Sequence, residues 1–378
     1  MKEPTLYIHA GMHKTGSTAF QKAAARHSDV LRAHGLIYPD LPLPNHSHFL
    51  VTQFAGPGDV MTRRVARLRR NGLDAFLDES DQLRASFETY LEKTAGEGHD
   101  GIISGEDVAI VGTSGLTELR DLALQHFAKV VVVALVRPPR SFMHSAAQQL
   151  IKSGATLTTL AADPPVPGYR GRFGPLIDVF GRDNVRFALY TEQMRQEKAI
   201  VPALMDMLDR SNVSLTDLGS IAANVSLPQT AAKLMLMVNG ALNRRERPDM
   251  IPAPIAEALA DGPFDEFVER ALNAGNERYR WPGQIIRRFQ DVPGPSFRLP
   301  ADIVEKGLAA TTPATEWMSE TMGVDINAAD DTASPEPGDL SDLSEAEVAD
   351  IANALTEDKR ARRAARMEAQ DAASPSAD

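Results

Sequence analysis

Apolar and polar positions along the chain predict a sheet of short strands followed by many helices. Between residues 5 and 10 apolar side chains alternate with others, which is typical of a β-strand. Residues 129–136, KVVVVALV, form an almost unbroken β-branched run, as expected of a strand buried on both faces of a parallel sheet. Shorter strands are predicted at 101–104 and 185–190, and helical patterns dominate from about 195 to 325. The pattern predicts an α/β fold with a central, mostly parallel sheet and a helix-rich C-terminal half.

A loop suited to binding phosphate follows the first strand. Residues 11–18, GMHKTGST, lead from that strand into a helical pattern. A strand, a glycine-bearing loop and a helix N-terminus bring free backbone N–H groups and the positive end of the helix dipole to one place. Lys14 adds a full positive charge, and Thr15, Ser17 and Thr18 add hydroxyl groups. The loop is not that of nucleoside triphosphatases, in which the lysine follows the second glycine, because here Lys14 precedes Gly16.

Two later strand ends carry side chains that suit the same chemistry. Arg137 follows the strand at 129–136, and Ser145 lies about two turns into a helix predicted at 140–152. Tyr190 ends the strand predicted at 185–190.

The order Lys-Thr-Gly-Ser-Thr after a first strand, with Arg137 and Ser145 eight residues apart, resembles a known enzyme family. It is similar to the bacterial-type sulfotransferases that use 3′-phosphoadenosine 5′-phosphosulfate (PAPS). The resemblance implies a three-layer P-loop-type fold over residues 1–326. It also implies that Arg137 and Ser145 hold the donor's 3′-phosphate, with Tyr190 beside it. The residues that the resemblance assigns to the 5′-phosphosulfate are His13, Lys14, Thr15, Gly16, Ser17 and Thr18.

Sulfuryl transfer to a hydroxyl requires that the charge on the leaving group be neutralised and that a proton be removed from the acceptor. Lys14 is placed for the first task. Glu106 is the preferred base, because a carboxylate after the strand at 101–104 points into the crevice where α/β sheets bind ligands. His48, in the segment Asn-His-Ser-His, is the second candidate. No metal ion is required in principle.

The acceptor class rests on one short segment. Residues 224–227, Asn-Val-Ser-Leu, resemble a segment of bacterial family members and favour a carbohydrate or cell-envelope glycan as the hydroxyl acceptor. Two other functions stay open. The chain could be a nucleotide-dependent kinase that uses the loop for ATP, although no aspartate after an apolar strand stands out as a Mg²⁺ ligand. It could also be a non-catalytic anion- or nucleotide-binding protein whose acidic tail recruits a partner.

Composition narrows the class of protein further. The 378 residues include no cysteine, so disulfides, thiolate nucleophiles and cysteine-bound metals are excluded. No apolar run approaches 18 residues, which predicts no transmembrane helix, and a strand within five residues of the start leaves no room for a signal peptide. These features predict a cytoplasmic protein.

The net charge of −11 lies mostly in the C-terminal tail. Residues 331–378 contain 12 acids and 5 bases, a net −7, which leaves the body near −4. Bulk charge therefore argues against a nucleic-acid-binding protein. Residues 327–378 form an acidic, low-complexity tail, predicted to be disordered apart from one helix that could form at 344–370.

Overall fold

The computed structural model of the chain describes residues 3–12, 14–55, 73–215, 226–260, 262–273, 279–328 and 339–373. The strands of its sheet are β1 (Thr5–His9), β2 (Leu36–Ile37), β3 (Asp100–Ser104), β4 (Lys129–Val136) and β5 (Val185–Leu189). Short 3₁₀ turns follow β3 at Glu106–Ile110 and precede β5 at Arg182–Asn184.

Helices cover most of the remaining described residues. Those before β5 are α1 (Ser17–Arg26), α2 (Ser28–Ala33), α3 (Ser47–Phe54), α4 (Leu73–Gly96), α5 (Thr113–Leu124), α6 (Pro139–Ile151), α7 (Leu157–Ala162) and α8 (Tyr169–Phe180). Those after β5 are α9 (Glu192–Gln196), α10 (Ile200–Met207), α11 (Gln229–Asn243), α12 (Ala253–Leu259), α13 (Pro263–Asn273), α14 (Gly283–Gln290), α15 (Ala301–Met322) and α16 (Glu345–Ala373).

The sheet has the strand order β2-β3-β1-β4-β5, and its four described pairings are all parallel. His9 at the end of β1 lies opposite Ser104 at the end of β3 and opposite Val133 of β4. From β1 the chain passes to the β3 side and later crosses to the β4 side, so the carboxyl end of β1 is the place where such sheets bind ligands. The predicted α/β fold of the three-layer P-loop type, with a parallel central sheet, is confirmed.

The chain divides into two compact units. The single domain over 1–326 stays a prediction. The first unit holds the described residues of 1–139, 167–221 and 311–331, and so the whole sheet. Large side chains on one face of the sheet and on α1 and α10 form a core there. Members of this core are Tyr7, Phe20, Ile102, Val131, Leu135 and Leu204.

The second unit holds the described residues of 140–166, 222–310 and 332–378. Its core is helical. Trp281 lies at the centre of a group of aromatic rings, with the Phe267 ring 4.7 Å and the Phe289 ring 5.7 Å away between centroids. Asn239 accepts a hydrogen bond from the Trp281 indole at 2.9 Å, so the polar atom of this buried ring is satisfied.

The C-terminal helix, which the sequence predicted could form at 344–370, spans Glu345–Ala373 and belongs to this second core. Ile351 and Leu355 of α16 are fully buried among the core residues of the unit. Two ion pairs add polar contacts to the packing, Lys233 with Glu347 at 2.8 Å and buried Arg288 with Asp358 at 3.2 Å. A few apolar residues at helical spacing suffice to dock a helix whose other residues are mostly charged.

We expect Ile351→Ala to destabilise the second unit by about 2–4 kcal/mol, because it removes buried methyl groups and leaves a cavity. The matched control is Asn353→Ala, on the exposed side of the same helix, which should change the free energy of unfolding by less than about 0.5 kcal/mol. Urea unfolding followed by circular dichroism measures both. Equal stabilities of the two variants would show that α16 does not contribute to the core.

Candidate active site

Hydrogen bonds to β4 and within the turn hold the loop between β1 and α1. Ala10 N–H donates to the carbonyl of Val133 at 3.0 Å, which continues the sheet beyond β1. The Thr15 amide and hydroxyl both donate to the carbonyl of Met12, at 3.3 and 2.7 Å. The role of Thr15 as a ligand of the phosphosulfate stays a prediction; in the structure its hydroxyl proton is donated within the turn. Lys14 adopts a positive φ of 71°, an uncommon conformation for a residue with a side chain.

Both glycines of the loop are required by its geometry. An added Cβ at Gly11 would overlap Ser17 Oγ and would lie 3.3 Å from Glu106 Cγ. Gly16 has a φ of 83°, and an added Cβ there would lie 2.8 Å from Ile200 Cδ1. Gly11 thus allows the loop, the start of α1 and Glu106 to approach one another, and Gly16 allows the chain to enter the helix.

The start of α1 has the features of an anion site. Its N-cap is Gly16, so no side chain caps the first amides of the helix. Ser17 is buried, and its Oγ has no hydrogen-bond partner among the residues that the structure describes, although buried hydroxyls are normally satisfied. An oxyanion would supply the missing acceptor. Thr18, the next predicted ligand, is exposed, and His13 lies outside the described residues.

Arg137 contacts the loop directly. Its Nη1 donates to the carbonyl of Lys14 at 2.7 Å, and its guanidinium lies 5.0 Å from the centre of the Tyr190 ring. The register explains the second contact, because Val136 lies opposite Leu189 and the Tyr190 amide donates to the carbonyl of Val136 at 2.8 Å. Two residues predicted from separate strand ends are therefore adjacent. Ser145 is half-buried on α6 and belongs to the second unit, so its predicted pairing with Arg137 stays a prediction.

Glu106 lies beside the loop, as its distance from Gly11 shows. It begins the 3₁₀ turn after β3, and the next amide, that of Asp107, donates to Ser47 Oγ at 3.1 Å. His48, the second predicted base, lies on α3. Its Nε2 lies 3.2 Å from Glu79 Oε1 of α4, which gives this imidazole a structural partner.

Two histidines that the sequence did not assign to the site are buried beneath the loop. His9 Nδ1 lies 2.8 Å from Ser104 Oγ, which also accepts from Gln21 Nε2 at 3.2 Å. His46 Nδ1 accepts from the Ser104 amide at 3.1 Å, so its neutral ring carries the proton on Nε2. The segment Asn-His-Ser-His contains both His46 and His48, but the sequence alone could not decide which of the two contacts β3.

Burial alone lowers the pKa of His46 to about 3. Burial also lowers the pKa of His9 to about 4, against the opposing effect of the Glu106 charge. Both rings are therefore neutral near pH 7. The Nε2 atoms of both have no hydrogen-bond partner among the described residues. His46 cannot take a proton there in its neutral form, because that nitrogen already carries one.

No described helix is long and apolar enough to cross a membrane, and the cytoplasmic location stays a prediction. Across the described part of the chain, no group of three or more His, Asp or Glu side chains could hold a metal ion. The segment at 224–227 includes Asn224 and Val225, which lie outside the described residues.

Comparison with known proteins gives one distant likeness. No protein-family model matches the sequence, and no curated protein matches it. Among solved structures, the sulfotransferase from Alicyclobacillus acidocaldarius is similar over 63% of this chain and 91% of its own, with 16% sequence identity and a TM-score of 0.30. At this similarity, function must be argued from the residues of the site.

We expect the free energy of unfolding to fall as the pH drops from about 6.5 towards 4. Unfolded histidines bind a proton near pH 6.5, whereas His9 and His46 in the folded chain do so only near pH 4 and pH 3. The unfolded state therefore binds more protons in this window, and above it the contribution of the two rings is constant.

Urea unfolding at pH 7, 5.5 and 4.5 measures the effect. His9→Asn and His46→Asn serve as comparisons, because the Asn amide reproduces the Nδ1 hydrogen bond and does not titrate. Each variant should lose less stability than the wild type between pH 7 and 4.5. An unchanged pH dependence in both variants would contradict the burial of neutral rings.

Proposed function

We propose that the chain is a PAPS-dependent sulfotransferase that transfers the sulfuryl group to a hydroxyl acceptor. The observation that carries the proposal is the meeting of three strand ends in the first unit. Arg137 after β4 bonds the carbonyl of Lys14, and Glu106 after β3 lies against Gly11 of the same loop. The guanidinium of Arg137, the loop and the carboxylate of Glu106 are thus close together at the carboxyl ends of the strands, which supports the proposal.

The loop carries groups that would bind an oxyanion such as the phosphosulfate. In the described part of the chain, Ser17 Oγ is buried without a hydrogen-bond partner, and the first amides of α1 lack a side-chain cap. These groups would hold the 5′-phosphosulfate, with Lys14 as the cation beside it. Arg137, stacked on Tyr190, would hold the 3′-phosphate. Ser145 is proposed as its second ligand from the family resemblance alone.

In the reaction, the acceptor oxygen would form a bond to sulfur while the bond from sulfur to the bridging phosphate oxygen breaks. Lys14 and the α1 amides would neutralise the charge on that leaving oxygen. Glu106 would accept the proton of the acceptor hydroxyl. We propose a carbohydrate or cell-envelope glycan as the acceptor, on the resemblance at residues 224–227.

Nucleotide binding tests the donor. We expect the protein to bind adenosine 3′,5′-bisphosphate more tightly than adenosine 5′-phosphate, and Arg137→Ala to reduce the ratio of the two affinities about 30-fold. This corresponds to an Arg–phosphate contact of about 2 kcal/mol. The ratio of the two affinities is the quantity to compare, because loss of the hydrogen bond to Lys14 should weaken the binding of both nucleotides equally. Isothermal titration calorimetry measures the affinities.

An unchanged ratio in Arg137→Ala would remove Arg137 from the 3′-phosphate site. Tight binding of ATP with Mg²⁺, and none of the bisphosphate, would favour the kinase. Binding of neither nucleotide would leave a protein without this donor and would overturn the proposed function.

Glu106→Gln should lower turnover by about 10²–10⁴-fold and leave the affinity for adenosine 3′,5′-bisphosphate unchanged, because loss of a general base affects the chemical step. Transfer of labelled sulfate from PAPS to a panel of glycans, lipids and phenols measures turnover. The matched control is His48→Asn, which we expect to change turnover little because His48 is bonded to Glu79. The reverse pattern, with turnover lost only in His48→Asn, would assign the base to His48.

A further inference from the structure

The first turn of α8 interacts with two parts of the candidate site: Arg137 after β4, and the 3₁₀ turn that begins with Glu106. Tyr169 and Arg172 are three residues apart on this helix, so their side chains share one face. Sequence reasoning assigned neither residue to the site, because nothing in the pattern Tyr-Arg-Gly-Arg marks a functional turn. In the structure, α8 packs against β4, β5 and the 3₁₀ turn that begins with Glu106.

Tyr169 fixes the backbone of Arg137. Its side chain is fully buried, and its hydroxyl donates to the carbonyl of Arg137 at 2.5 Å. The Arg137 amide lies 3.5 Å from Met12 Sδ, and the guanidinium bonds the carbonyl of Lys14. Arg137 is therefore held from α8 on one side and from the loop on the other, which restricts where its guanidinium can point.

Arg172 places a shielded positive charge near the acidic turn. Its Nε and Nη1 atoms are buried and make no hydrogen bond within the described structure. Burial lowers the pKa of Arg172, and the charges of Asp107 and Glu106 oppose that effect. A buried guanidinium is costly unless acidic groups lie close to it. The charge of Arg172 therefore acts on the carboxylates of Asp107 and Glu106.

We propose that the first turn of α8 is a brace for both halves of the site, with Tyr169 positioning Arg137 and Arg172 holding Glu106 in its ionised, base-competent form. This inference rests on the proposed function, which assigns Arg137 to the 3′-phosphate and Glu106 to the role of base. Tyr169 and Arg172 are positioning residues, since each acts through another side chain. One rigid helical turn thereby fixes the distance between the 3′-phosphate contact and the base.

The ionisable groups near Glu106 lie on the segments that contact its 3₁₀ turn or the loop beside it. His9 on β1 and Arg172 on α8 interact electrostatically with Glu106, and Asp107 is its neighbour in the turn. Lys14 belongs to the loop that Glu106 contacts, and His46 and His48 lie at the start of α3, which packs against the turn. His46 titrates near pH 3, and His48 is engaged with Glu79. Since all of these groups except Arg172 stay in place when Arg172 is replaced, a change in Glu106 titration in such a variant reports the guanidinium.

The first experiment titrates Glu106 directly, without any acceptor. In the full chain labelled with ¹³C-carboxyl glutamate, the Glu106 resonance is identified by its loss in Glu106→Gln. We expect Arg172→Met to move the titration midpoint of Glu106 to higher pH by about one pH unit, as loss of a neighbouring opposite charge does. Arg172→Lys should restore most of the shift. Arg170→Met, on the exposed side of the same turn, should leave the midpoint unchanged.

Circular dichroism shows whether each variant is folded. If Arg172→Met fails to fold, Arg172→Gln provides a second neutral side chain that can hydrogen-bond within the buried site. An unchanged midpoint in a folded neutral variant overturns the role of Arg172.

The second experiment tests Tyr169. Tyr169→Phe keeps the buried ring and removes the hydrogen bond to Arg137. We expect it to lower the ratio of affinities for adenosine 3′,5′-bisphosphate and adenosine 5′-phosphate by about 3–10-fold, the size of one hydrogen bond. In Arg137→Ala, adding Tyr169→Phe should lower the ratio no further, because Tyr169 acts through Arg137. An unchanged ratio in the single variant, or additive losses in the double variant, overturns the role of Tyr169.

The two experiments separate failure of the brace from failure of the proposed function. If the wild type binds neither nucleotide, the proposed function fails and the Glu106 titration alone decides the brace. If Arg172→Met shifts the midpoint but Glu106→Gln leaves turnover intact, the brace stands and Glu106 is not the base.

Discussion

The candidate site depends on the parallel pairing of β1 between β3 and β4. His9 lies opposite Ser104 and opposite Val133, so β1 and β3 end together whereas β4 continues three residues further. The loop that leaves β1 therefore passes alongside the end of β4, where Arg137 meets the carbonyl of Lys14. A shift of one residue in either register would turn each side chain to the opposite face of the sheet.

Buried polar groups fix this register from below. Ser104 bonds His9 and Gln21 through its hydroxyl and His46 through its backbone, which ties β1, α1 and the start of α3 to the end of β3. Such a network is costly to bury, and it is stabilising only while its groups stay neutral and correctly oriented. The strained φ of Lys14 is supported above it by the bond from Arg137. Rigid polar packing below and a constrained loop above are what a preorganised anion site requires.

The second unit is held together by apolar packing between helices. Its core is built by helices that pack around Trp281 and are closed by α16, a helix whose composition is mostly polar and charged. Val348, Ile351 and Leu355 recur at helical spacing and pack there, so a short apolar stripe outweighs the acidity of the segment. Net charge describes the solvent-facing side of such a helix and says little about the side that is buried.

The sequence by itself determined the strands, the loop and the strand-end residues. An unbroken β-branched run at β4 and a glycine loop before α1 are local patterns, and local patterns reflect local constraints. The family resemblance predicted that Tyr190 lies beside the same phosphate as Arg137, and the position of Glu106 after β3 predicted that its carboxylate faces the ligand crevice.

Only the tertiary structure decided which polar groups are used within the fold and which face the crevice. Thr15 gives its proton to Met12, His46 and not His48 bonds β3, and α8 brings Tyr169 and Arg172 to the site from about 30 residues beyond Arg137. These outcomes depend on hydrogen bonds and burial between segments far apart in the chain. The periodicity of apolar residues predicts which face of its own helix or strand a residue lies on. It does not predict which distant segment packs against that face.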